Sequence, residues 1–133
     1  MELLETLSEA LADQLHVLYQ NEWWSAGRTR EETARVLEGS DLTLGLVQEG
    51  TLVGFARVLT DGVFKALIFD VMVAPEQRGS DLGRRLIDEI ISHPKLSGVK
   101  HFELYCRPRM VPFYEKWGFT SNLGEIRLMR REA

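Results

Sequence analysis

Two stretches of the chain combine residue types that can do chemistry. In the first, Arg78-Gly79-Ser80-Asp81-Leu82-Gly83 lies between an apolar run, Ala66 to Ala74, and an amphipathic stretch that continues Arg84-Arg85-Leu86-Ile87. That order reads as strand, turn and helix start. The first-turn N–H groups of a helix have no partner inside it, and its positive dipole end attracts anions. Glycines let a phosphate approach the backbone because no Cβ is in the way. An ordinary strand-to-helix turn uses the same glycines, so the spacing alone leaves both readings open. The apolar run contains one charge, Asp70. A carboxylate in a strand covered on both faces is costly unless it is paired or hydrogen-bonded. Asp70 is therefore a base or proton-relay member, or a carboxylate bonded to N–H groups or to an arginine for structural reasons.

The second stretch is Val111-Pro112-Phe113-Tyr114-Glu115-Lys116-Trp117-Gly118-Phe119. It reads as a short helix from Met110 to Trp117, with Pro112 in its first turn and Gly118 ending it. Tyr114 is either a core tyrosine with a satisfied hydroxyl or a donor to a ligand. A third feature is Glu22-Trp23-Trp24 in a polar loop. The two indoles either plug the edge of the core or line a pocket beside Glu22, and Glu22 or Asp70 could attract a cationic amine there. Arg57, inside a strand, points to solvent or flanks a cleft. Cys106 follows a buried strand and reads as an apolar filler. His16, His93 and His101 are isolated, and no pair has metal-ligand spacing, so no metal is expected.

The elements that must position these groups are legible as a series. Residues 8–20 have Leu11, Leu15 and Leu18 at helical spacing, with Ser8 as N-cap. Thr29 and Glu32 form a capping box for a helix from Arg30 to Leu37. Residues 42–48 and 52–60 read as strands around a turn at Glu49-Gly50-Thr51. Strand 66–74 follows, then a helix from about Leu82 to Ser92 with Leu82, Leu86, Ile87, Ile90 and Ile91 as its buried stripe. Residues 100–105 alternate as a strand. Phe119 onward, with Ile126 to Met129, is expected to add one or two last strands, and residues 2–7 are either an edge strand or a helix turn. The class is a mixed α/β sheet with about four helices.

Length and composition bound the rest. With 133 residues the chain reads as a single domain over 1–133. Its net charge of −4 argues against a general nucleic-acid binder. The start, Met1-Glu2-Leu3-Leu4-Glu5, lacks the basic and apolar regions of a signal peptide, and no apolar run approaches the ~20 residues that span a membrane. One cysteine permits no internal disulfide. A cytoplasmic location with neither membrane nor nucleic acid as partner is expected.

Together the two stretches resemble the signatures of the GNAT acetyltransferase superfamily. Its loop after the fourth strand, Gln/Arg-x-x-Gly-x-Gly/Ala, corresponds to Arg78 through Gly83, preceded by Val73-Ala74-Pro75-Glu76. Its later motif corresponds to Phe113 through Phe119 without a break. The resemblance runs from about residue 8 onward. It implies a central twisted mixed sheet whose fourth and fifth strands splay apart, with the pantetheine of acetyl-CoA inserted between them. The backbone of Met72 and Val73 would bond the pantetheine amides, and the N–H groups of Arg78, Gly79, Ser80, Asp81, Leu82, Gly83 and Arg84 would hold the pyrophosphate. Acetyl transfer to an amine would follow, with Tyr114 as general acid and Asp70 or Glu22 as base. Trp23, Trp24 and Arg57 would face the acceptor. The implied partners are acetyl-CoA and an amine, with a homodimer left open. A non-catalytic acyl-CoA-binding domain of the same fold is the alternative. Two departures stand out. Asp81 occupies a position where glycine is preferred, and its charge opposes a pyrophosphate. Arg107-Pro108-Arg109-Met110 replaces an Asn-x-x-Ala segment, where Arg107 could reach the cofactor or an acidic acceptor.

Overall fold

Alternating and continuous apolar runs build one five-stranded sheet in chain order, in a computed structural model that describes residues 1–133. The strands are β1 (Glu2–Leu4), β2 (Leu42–Gln48), β3 (Thr51–Thr60), β4 (Lys65–Val73) and β5 (His101–Leu104). Neighbours from β1 to β4 are antiparallel, and β5 is parallel to β4. Residues 2–7 thus resolve to an edge strand. Short turns join β2 to β3 and β3 to β4, while residues 5–41 separate β1 from β2, and the parallel pair needs a crossover. Helix α3 (Leu82–Ile91) supplies it.

Helices α1 (Glu9–Gln20) and α2 (Arg30–Gly39) start where their caps predict. The Ser8 hydroxyl accepts from the Leu11 N–H, and Thr29 with Glu32 closes a reciprocal capping box. The sheet is packed on both faces. On one side Leu86, Ile87 and Ile90 of α3 meet Leu44, Val58, Ala66 and Ile68. On the other, Leu15, Leu18 and Tyr19 of α1 meet Phe55, Met72 and Ala74.

No strand forms after Phe119, which corrects the expectation for Ile126 to Met129. The apolar residues there are exposed. The Arg127 guanidinium donates to the Gly124 carbonyl at 2.6 Å and the Ile126 carbonyl at 3.1 Å. The pattern suits a strand, but a strand requires a bonded neighbour and this segment has none. Helix α4 (Val111–Glu115) follows a 3-10 turn at Pro108–Met110, slightly shorter than its motif suggests.

Candidate active site

Strand β4 changes face halfway along. Ala66 and Ile68 pack toward α3, yet Met72 and Ala74, at the same parity, pack toward α1. The pairing explains the flip. Phe55 faces Met72 and Arg57 faces Phe69, so Asp70 and Val71 together oppose Ala56. That is a β-bulge, with Asp70 in the left-handed region at φ 56°. Aspartate tolerates this region better than most residues. The bulge turns Asp70 toward α1, where its side chain is only 6% exposed.

Three donors converge on one oxygen of that carboxylate. Asp70 Oδ2 accepts from Tyr19 Oη at 2.8 Å, Arg28 at 3.0 Å and Arg57 Nε at 2.7 Å. Oδ1 accepts no hydrogen bond within the chain, and no fully buried side-chain polar atom is left unpaired, so Oδ1 is open. Burial, the Asp70 charge and the bond to it push the Tyr19 hydroxyl's pKa well above its ordinary value. Arg57 therefore does not point to solvent. It bonds Asp70 and the Ser40 hydroxyl and stacks over Phe69 at 5.0 Å. Its part in the site is to hold Asp70. Tyr19 and Arg28 carry no sequence motif, and only the fold brings them to Asp70.

Below the bulge, β4 loses its neighbour on one side. β5 pairs with β4 only from Lys65 to Ile68, while β4 continues to Val73. The Ala74 N–H bonds the Val53 carbonyl. Backbone groups alternate along an antiparallel pair, so Met72 also faces β3, and Val71 and Val73 turn theirs to the open edge. This corrects the expectation for Met72, whose backbone is directed into the β3 ladder and whose side chain is in the core. Val73 and Val71 lie on the edge that β5 leaves unpaired.

The open edge leads directly to the start of α3. Unlike α1 and α2, α3 has no side-chain cap, and its N-cap, Asp81, sits at φ 65°. The first bond back to this turn runs from Arg85 N–H to the Asp81 carbonyl. The N–H groups of Leu82, Gly83 and Arg84 are thus left for a ligand. Gly79, at φ 88°, has open space where a Cβ would stand. Leu82 gives only its backbone, since its side chain is buried. Asp81 is exposed and bonds none of these donors. Its charge would repel a bound phosphate from the surface, a modest effect. Asp81→Gly is expected to tighten acetyl-CoA binding about threefold, measured by calorimetry.

Helix α4 is held against this loop. A Cβ on Gly83 would come within 3.4 Å of the Phe113 ring. Trp117 Nε1 donates to Asp88 of α3 at 2.7 Å. Between these ties, Tyr114 is 8% exposed and has Phe113 and Phe119 edge-on to its ring. Its hydroxyl makes no hydrogen bond within the chain and is not sealed off. Burial first, and then charge on the neighbouring Cys106, push its pKa up to about 12. Cys106 is exposed rather than an apolar filler, because β5 ends at Leu104 before reaching it.

The loop between α1 and α2 closes the third side. Ser25 Oγ donates to the Tyr19 carbonyl at 2.7 Å, and Gln20 takes the Gly27 N–H while donating to the Arg28 carbonyl at 2.8 Å. So fixed, the loop holds both tryptophans outward: Trp23 is 67% exposed and Trp24 37%. Neither plugs the core. Trp24 meets Tyr19 edge-on, and Arg107, arriving from beyond β5, stacks over Trp23 at 3.9 Å. Glu22 pairs with Arg78 of the glycine loop at 2.8 Å. Both carboxylates expected to attract a cation are therefore matched with arginines. A cavity of about 530 Å³ lies elsewhere, between α1, α2 and β2, and neither the tryptophans, Asp70, Tyr114 nor the glycine loop lines it.

Comparison with known proteins agrees with this geometry. The Acetyltransferase (GNAT) family profile matches residues 4–119. The chain is 34% identical to "GCN5-related N-acetyltransferase 1, chloroplastic" of Arabidopsis thaliana, over 96% of this chain and 66% of that protein. It is 36% identical to "Serotonin N-acetyltransferase 2, chloroplastic" of Oryza sativa subsp. japonica, over 77% of this chain and 53% of that one. The chain thus spans between about half and two thirds of these relatives' lengths. Among solved structures, "a putative acetyltransferase belonging to the gnat family" from Xanthomonas campestris pv. campestris superposes with a TM-score of 0.84 at 29% identity, covering 100% of this chain and 94% of the other. A sheet open between β4 and β5, an uncapped helix mouth and a family match across most of the sequence lead to one conclusion: the chain belongs to the GNAT acetyltransferase family.

Proposed function

We propose that this protein transfers the acetyl group of acetyl-CoA directly to a primary amine. The observation that carries the reading is the opening of the sheet. β4 runs on to Val73 after β5 has left it at Ile68, so the backbone of Val71 and Val73 can pair with an extended ligand as a strand would. Pantetheine, with its two amides, is such a ligand. From that edge its pyrophosphate reaches the free N–H groups of residues 82–84 and the Gly79 cradle. Arg78, now held by Glu22, is the side chain that can turn to the phosphates.

The chemistry follows from the groups around the opening. The neutral amine attacks the thioester carbonyl carbon, and charge gathers on the carbonyl oxygen, where an outward N–H of Val71 or Val73 can meet it. The C–S bond then breaks, and the departing thiolate takes its proton from Tyr114. The amine's proton goes to Asp70 Oδ1, the oxygen its three partners leave free, or to Glu22 once Arg78 has moved to the phosphates. A primary amine is the simplest acceptor for this geometry, and the name of the serotonin N-acetyltransferase relative supports an amine with an aromatic body.

The test is amine-dependent release of free thiol from acetyl-CoA across a panel of primary amines. Release that rises with one class of amine supports the reading. Binding of acetyl-CoA without release to any amine would support an acyl-CoA-binding domain instead. The pH profile carries a further expectation. A general acid must be protonated to act, and a raised pKa keeps Tyr114 protonated throughout the working range. The rate should rise as the base and amine lose protons, then stay level to about pH 10. A falling limb near neutrality would assign the acid role to another group.

A further inference from the structure

The groups around the two tryptophans leave a surplus of unused positive charge. Arg28 spends one terminal nitrogen on Asp70, and its Nε and other terminal nitrogen donate to nothing in the chain. Its side chain is 29% exposed, and its guanidinium lies over Tyr19 at 4.6 Å and Trp24 at 5.4 Å. Arg107 is exposed, donates no hydrogen bond and rests on Trp23. Asp70 takes both Arg57 and Arg28, and Glu22 takes Arg78. Two carboxylates thus meet four arginines: Arg28 keeps two of its nitrogens free beside Tyr19 and Trp24, and Arg107 rests on Trp23 with no carboxylate partner. Stacking fixes the plane of a guanidinium and points its donors sideways, the arrangement that meets a carboxylate with two parallel bonds.

The two arginines also stand on opposite sides of the opening. Arg28 is tied to the β4 bulge through Asp70, and Arg107 follows the end of β5 next to Cys106, which neighbours Tyr114. We propose that the acceptor is an amine that also carries a carboxylate and an aromatic or apolar body. Arg28 and Arg107 grip the carboxylate, and Trp23 and Trp24 flank the body. A wholly cationic amine would meet unmatched positive charge here, so the acid group sets specificity. This rests on the acetyl-transfer reading for the identity of the ligand, but not for its binding.

Equilibrium binding tests it independently of turnover. Phenylpropionate and indolepropionate keep the acid and the ring and lack the amine, and their carboxamides remove the charge at nearly constant shape. Calorimetry on the full chain, with and without saturating CoA, is expected to show each acid binding at least about tenfold more tightly than its amide. Arg107→Gln and Arg28→Lys should each reduce that preference severalfold, the second while keeping the charge that balances Asp70. Equal binding of acid and amide, no binding by either, or a preference unchanged in both variants overturns the proposal. Failure of acetyl-CoA itself to bind would instead remove the transfer reading, and the acid-to-amide ratio would still decide this one.

Discussion

Tyr114→Phe is expected to slow acetyl transfer about a hundredfold while leaving the affinity for acetyl-CoA within about twofold. The substitution removes a single oxygen. That oxygen has no hydrogen-bond partner in the chain, so its loss orphans nothing and should hardly affect stability. The ring stays, with Phe113 and Phe119 still edge-on to it. What disappears is the hydroxyl that the proposed mechanism uses to protonate the leaving thiolate. Without it the leaving group departs as a thiolate, or takes a proton from water in poorer geometry. Rapid-mix thiol release at saturating amine, alongside calorimetry with acetyl-CoA, separates the two quantities. Turnover unchanged in the variant would take Tyr114 out of the acid role.

Asp70→Ala should be the most damaging single change to the fold near the site. Asp70 Oδ2 is the only acceptor shared by Tyr19, Arg28 and Arg57, and its removal strands Arg57, which is largely buried. Breaking a buried pair from one side costs about 3–5 kcal/mol. Arg28 is partly exposed and can turn to water, so the lower end, about 3 kcal/mol, is the better expectation. In a domain of this size that lowers Tm by roughly 10 °C, read by thermal denaturation of the two proteins side by side. Asp70→Asn keeps the shape and can still accept a bond, but it no longer balances the arginines and cannot take an amine's proton. It should lose less stability than the alanine variant and a comparable amount of activity. If the Asp70→Asn protein retained full activity, Glu22 would be the better base.

The same residue shows how far sequence alone could reach. A charge inside an apolar strand marks Asp70 at once, because burial makes it costly. What the strand could not reveal is its bulge, since a bulge depends on the register against β3. Without the bulge, Asp70 would share a face with Ile68 and lie under α3. Its partners were equally hidden. Tyr19 looks like one more helical core residue, and Arg28 like a loop arginine, until α1 is laid across the sheet. The glycine loop and the α4 motif were legible because each is local, with geometry fixed within a few residues. Met72 departs from expectation for a reason similar to that of Asp70: which backbone groups face outward is a matter of pairing, visible only once Ala74 is seen bonded to Val53. The tail from Ile126 to Met129 has a strand's alternation, but alternation without a neighbour to bond is not a strand.

The charge balance near the tryptophans was legible only in its parts. Glu22 and Asp70 invite a cationic amine when read alone, and lose that meaning once Arg78 and Arg57 are found against them. In the proposed reaction Arg78 would also connect cofactor and acceptor, through its pair with Glu22. If it turns from Glu22 to the phosphates, the Glu22 carboxylate is released toward the acceptor only after the cofactor has arrived.

The decisive measurement is calorimetric titration of the full chain with acetyl-CoA. From the open β4 edge, the uncapped start of α3 and the Gly79 cradle, the expected result is one site per chain with affinity in roughly the micromolar range. Absence of binding up to millimolar acetyl-CoA would mean that the β4 edge and the α3 mouth do not form a CoA site.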